Sequence, residues 1–227
     1  MSRNKINTVL FDLDGTFADT APDLAYALNV VLQRHNKSTL TLEQIRPVVS
    51  HGGAALIELG FNISVAQPEF EPLRMELLDI YRDNLVQQNN NRTQLFPNMD
   101  NVLHYITEQQ LNWGIVTNKP GWLTDPLMQG LDLPSIPACI ISGDTLPQRK
   151  PDPAQLIHAC EIIGTTPSQS VYIGDAERDI EAGNRAGMLT LVALFGYIAN
   201  DDEPGNWNAD EMLHNVTDIK TWLQEHV

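Results

Sequence analysis

Five short apolar runs set the limits on what this chain can fold into. They are Ile6–Phe11, Trp113–Val116, Ala138–Ile141, Val171–Ile173 and Leu189–Ala193, and Ile and Val recur through them. Continuous apolar runs of this length, bounded by turn residues, read as strands buried on both faces. Between the later runs lie helical patterns at Gly121–Gln129, Pro153–Ile163 and Glu177–Ala186. Strands alternating with helices predict an α/β fold, a parallel sheet covered on both sides. Pro153 suits a first helical turn, where its missing N–H would be unpaired anyway.

The first interval breaks that rhythm. Roughly 100 residues separate the first strand from the second, far more than one crossover helix needs. From Pro22 to about Gln88 the pattern is helical: Asp23–His35 and Glu69–Gln88 carry apolar residues at three- and four-residue steps. Thr41 and Gln44 form a capping box between them. The polar stretch from Gln87 to Thr93 reads as a return linker, and Asn98–Gln109 as a core helix. The expected organisation is a core of residues 1–18 and 92–227 with a helical cap, residues 19–91, inserted after the first strand.

Charge narrows the possible partners. A formal net charge of −15 leaves no basic surface for a nucleic-acid backbone. No apolar run approaches the roughly 20 residues of a membrane span. Met1–Ile6 lacks the apolar stretch of a secretory signal, so the expected location is cytoplasmic. Cys139 and Cys160 sit in apolar segments without metal-ligand spacing and read as buried, reduced thiols. His35, His104, His158, His214 and His226 are scattered without ligand spacing.

Four motifs sit just beyond the expected strands, where sites collect in open α/β sheets. They are Asp12-Leu-Asp14-Gly15-Thr16, Thr117-Asn118, Lys150-Pro-Asp-Pro, which opens the helix before the fourth strand, and Gly174-Asp175 with Asp179. Singly, each is a turn, a helix cap or a surface lysine. In order along one chain they suit phosphoryl transfer. Asp12 is placed to attack phosphorus and form an aspartyl-phosphate. Asp14, two residues on, is placed to protonate the leaving alkoxide and then deprotonate water. Several carboxylates together call for a cation, and Mg²⁺ takes such oxygen ligands. The candidate ligands are Asp12, the Asp14 main-chain carbonyl and Asp175. Asp179, one helical turn after Asp175, would hold a metal-bound water or orient Lys150. Thr117, Asn118 and Lys150 are the candidates for binding the phosphate oxygens. In the cap, Ser50-His51-Gly52-Gly53 precedes a helical run, so its N–H groups could meet an anionic group of the substrate, with Arg46 one turn earlier. A plain interhelical turn is the alternative there. A phospho-accepting receiver module is a poor fit: the third strand, ending Ile140-Ile141-Ser142-Gly143, supplies no acceptor Asp.

These motifs, across the whole chain, resemble the haloacid dehalogenase-like hydrolase superfamily. The resemblance implies a Rossmann-like core of strand order 5-4-1-2-3 and a mobile helical cap. It also implies Asp12 as nucleophile, Asp14 as acid/base and Mg²⁺ as cofactor, with a small phosphorylated metabolite as partner. Asp14 points to a phosphatase or phosphomutase, because dehalogenase members usually lack that second carboxylate. Gly114-Ile-Val-Thr-Asn-Lys-Pro120, Lys150-Pro-Asp-Pro and the tail from Gly196-Tyr-Ile to Pro204, with Trp207 and Ala209-Asp210, resemble the phosphoglycolate phosphatase group. Phe17 and Ala18 depart from the usual first motif.

Overall fold

The computed structural model describes residues 5–87 and 92–227. Residues 1–4 of the N-terminal reading and 88–91 of the return linker lie outside the described residues. Strand β1 (Thr8–Phe11) is followed by a two-residue strand β2 (Ala18–Asp19) and helix α1 (Ala21–Arg34). Next come α2 (Leu42–Ile45), a 3₁₀ turn over Arg46–His51, α3 (Gly52–Phe61) and α4 (Phe70–Gln87). β3 (Gln94–Leu95) then returns beside β2. The remainder runs α5 (Met99–Glu108), β4 (Asn112–Val116), α6 (Gly121–Gly130), β5 (Cys139–Ile141), α7 (Ala154–Ile163), β6 (Ser170–Gly174), α8 (Glu177–Ala186), β7 (Leu189–Ala193), β8 (Glu211–Leu213) and α9 (Val216–His226).

The large sheet has the order β5-β4-β1-β6-β7-β8, and every neighbouring pair is parallel. Its first five strands reproduce the expected 5-4-1-2-3 order, read from the far side. β8 extends it by one edge strand, which the strand–helix rhythm does not reach. Alternation along β1 explains the two-sided burial. Val9 and Phe11 join the core beneath α5 and α9, whereas Leu10 joins Leu156 and Cys160 of α7 and Ala182 of α8 on the other face. Both cysteines are free and buried, and burial pushes the Cys139 thiol up to about 11. Pro153 is the residue just before α7 rather than inside its first turn.

The insert is helical as expected, and Thr41 and Gln44 form the capping box in both directions. β2 and β3 pair antiparallel, Ala18 with Leu95 and Asp19 with Gln94, so the chain leaves the sheet and returns side by side. Asp23 ties this crossing together. Its buried carboxylate accepts hydrogen bonds from Asn84 Nδ2, the Thr93 hydroxyl and the main-chain N–H groups of Arg92 and Thr93. It thereby joins the start of α1, the end of α4 and the returning strand. Asp23→Ala removes the acceptor that these donors share, so it is expected to cost at least about 3 kcal/mol in urea unfolding. A loss below about 1 kcal/mol would show that the knot is dispensable.

Candidate active site

Three parallel strands deliver the site, because each ends at the same edge of the sheet. Asp12 follows β1, Thr117 follows β4 and Asp175 follows β6. Asp12 and Thr117 prolong the sheet by one hydrogen bond each, Asp12 N to Ile173 O and Thr117 N to Ile141 O, both 2.9 Å. Lys150 enters from the loop before α7, and Asp179 from the first turn of α8. Asp12, Thr117, Lys150, Asp175 and Asp179 are all at most 3% exposed. Groups this polar stay buried only when they satisfy one another.

Lys150 Nζ shows how. It donates to Asp12 Oδ1 at 2.8 Å, to the Tyr172 hydroxyl at 2.7 Å and to Val116 O at 3.0 Å. Asp179 Oδ1 also lies 2.8 Å away but off the hydrogen-bond directions, so that contact is an ion pair. Burial alone would lower the lysine's pKa. Asp12 and Asp179 outweigh burial and hold its pKa above the ordinary lysine value. The main chain of Lys150 is clamped as well: Asn118 Oδ1 accepts from its N–H and Asn118 Nδ2 donates to its carbonyl. The Asn118 side chain, a candidate for the phosphate, holds the main chain of Lys150.

One oxygen each of Asp12, Asp175 and Asp179 lies within 4.8 Å of the others. Asp175 Oδ1 and Asp179 Oδ1 are buried without a hydrogen-bond partner. Burial, then the charges of Asp12 and Asp179, push the Asp175 carboxyl up to about 8. Near neutral pH it keeps a proton unless a cation takes that place. A buried carboxylate oxygen without a hydrogen-bond partner, close to two further carboxylates, fits a divalent ion. Gly15 permits the closeness. Its φ of +82° is left-handed, and a Cβ there would collide with Asp175 Oδ2 and the Tyr197 ring.

The Asp14 carboxylate is not among these three. Lys119 Nζ approaches its two oxygens at 2.8 and 3.1 Å, and the Thr20 hydroxyl donates to Oδ1 at 2.6 Å. Lys119 also lies 4.7 Å from the ring centre of Tyr81 in α4. The five cap positions part company. Ser50 reaches the core, donating to Asp175 Oδ2 at 2.7 Å. His51 is exposed, and Gly52 and Gly53 open α3, Gly53 against Leu78. Arg46 is paired at both nitrogens with Asp19, each 2.9 Å. Lys119, Arg178 and Tyr197 are the residues that the sequence reading leaves without a role. Lys119 adjoins Thr117-Asn118, and Tyr197 lies four residues past the end of β7. The strand-end rule that found the other motifs, applied to β7, points to it.

This fold and these motifs define a class. The haloacid dehalogenase-like hydrolase model matches residues 9–193, and the chain belongs to that family. Within it the chain is a phosphoric monoester hydrolase, as its relatives are. It is 35% identical over 219 residues to the N-acetylmuramic acid 6-phosphate phosphatase of Pseudomonas aeruginosa, covering 96% of this chain and 95% of that one. It is 41% identical over 205 residues to the phosphoglycolate phosphatase of Xanthomonas campestris pv. campestris, covering 90% of each. Among solved structures, a predicted phosphoglycolate phosphatase from Haemophilus somnus superposes with a TM-score of 0.81 at 25% identity, covering 98% of this chain and 99% of that one. No helix among the described residues is long and apolar enough to cross a membrane.

Proposed function

We propose that this chain hydrolyses a small phosphomonoester through an aspartyl-phosphate on Asp12, with Mg²⁺ as cofactor. The observation that carries the reading is the buried ion pair of Asp12 and Lys150, at 2.8 Å, beside Asp175 Oδ1, which is buried without a hydrogen-bond partner. An Asp12 oxygen bonds to phosphorus as the ester P–O bond breaks, and the leaving oxygen takes a proton from Asp14. Water then attacks phosphorus, Asp14 takes its proton, and the P–O bond to Asp12 breaks to free phosphate. Thr117 and Lys150 hold the non-bridging oxygens, and Asn118 keeps Lys150 in place. Asp12, the Asp14 carbonyl and Asp175 would hold Mg²⁺, which neutralises phosphate charge when bound. Asp179 orients Lys150.

For the substrate, the tail Gly196–Pro204 with Trp207 and Ala209-Asp210, together with the relative matched over 96% of the chain, favours N-acetylmuramic acid 6-phosphate. The relative that is 41% identical favours 2-phosphoglycolate as the second reading. Both molecules pair a phosphate with a carboxylate. Comparing kcat/KM on the two, with magnesium and with EDTA, decides between them. The expected result is a preference of at least about tenfold for the sugar phosphate, lost in EDTA. A preference for phosphoglycolate reverses the substrate choice, and full activity in EDTA removes the metal.

A further inference from the structure

The two oxygens of Asp175 are treated differently. Oδ1 is buried without a hydrogen-bond partner. Oδ2 accepts from the Ser50 hydroxyl at 2.7 Å and from the Tyr197 N–H at 2.9 Å. Ser50 belongs to the helical insert, in the 3₁₀ turn Arg46–His51. Its carbonyl accepts from Arg178 Nη2 at 2.7 Å, so both its hydroxyl and its carbonyl are tied to the segment that carries Asp175 and Asp179.

A second route joins the same turn to the same oxygen. Arg46 grips Asp19 through both terminal nitrogens, and its guanidinium lies 5.4 Å from the ring centre of Tyr197. The Tyr197 hydroxyl donates to Asp19 Oδ1 at 2.6 Å and accepts from the Ala21 N–H at 2.9 Å. Gly196 lets this loop pass: a Cβ there would overlap Gly15 O and Asp175 Cβ. Arg46 and Ser50, four residues apart on one turn of the insert, thus converge on Asp175 Oδ2.

We propose that Ser50 and Tyr197 are positioning residues for metal uptake, fixing Asp175 Oδ2 when the insert is seated so that Oδ1 faces the cation. The proposal rests on the reading of the carboxylate cluster as a magnesium site. Donors on the outer oxygen of a ligating carboxylate fix its orientation, and their loss typically weakens metal affinity about 10–100-fold. Coupling of this kind is reciprocal: if the seated insert tightens metal binding, bound metal holds the insert seated by the same factor. Ser50, a candidate for the substrate, links the insert to Asp175.

Calorimetric titration of magnesium chloride into the substrate-free enzyme and its Ser50→Ala variant tests this without relying on turnover. The expected dissociation constant of the variant is about tenfold weaker. Hydrogen exchange of peptides spanning residues 46–51 gives the reciprocal readout. Magnesium is expected to slow their exchange in the wild type and to do so much less in the variant. A variant that binds magnesium within about twofold of the wild type overturns the positioning role alone. A wild type that takes up no magnesium overturns the reading of the site, and this proposal with it.

Discussion

Asparagine in place of Asp12 is expected to lower turnover by at least about 10⁴-fold, since on the proposed mechanism it removes the group that attacks phosphorus. The size of that effect follows from the site. Asparagine keeps the shape of the side chain and an oxygen able to face Lys150 Nζ, while Lys150 retains Tyr172, Val116 O and Asp179. The fold should therefore survive, with the variant melting within a few degrees of the wild type. Turnover within about tenfold of the wild type would remove Asp12 from the chemistry.

Lys150→Met should do the reverse of a clean catalytic knockout, because it damages the fold and the reaction together. The lysine is the cation that sits between buried Asp12 and buried Asp179. Without it the two carboxylates lose their paired counter-charge and are left with the charge of Arg178. Breaking a buried pair in this way costs about 3–5 kcal/mol. Turnover is expected to fall by about 10²–10³-fold as well, through loss of the proposed donor to the phosphate oxygens. Urea unfolding and steady-state kinetics on one preparation separate the two losses. A variant as stable as the wild type would mean that the carboxylates have found another counter-charge.

The legible part of this molecule is the part with sequence-local causes. β1, β4, β6 and β7 are buried runs with turn residues behind them, and their order along the chain set the helical insert apart. Asp12, Thr117 and Asp175 were readable because a strand end fixes where the next residue points. β8 was not, since Glu211–Leu213 is three residues long with only Leu213 buried. It pairs with β7 and is locked by Asp210, whose N–H and carboxylate bridge to Thr190. Those are contacts made across the fold, with no local pattern. The insert divides in the same way. Its helices and the Thr41–Gln44 box follow from spacing, but the partner of Ser50 lies 125 residues away and that of Tyr197 178 residues away. Arg46 shows the cost of local reasoning. One turn from a glycine-rich helix start it reads as an anion binder, and in the fold its anion is Asp19.

The central claim is a phosphoryl group carried by Asp12, and it can be trapped. p-Nitrophenolate leaves without needing a proton, so Asp14→Asn should still be phosphorylated by p-nitrophenyl phosphate. The second step, which needs a base for water, should stall. Acid-quenching that mixture and mapping the digest by mass spectrometry is the direct measurement. One phosphoryl group is expected on the peptide containing Asp12. Release of p-nitrophenolate with no phosphopeptide, or a phosphoryl group on another residue, would contradict it.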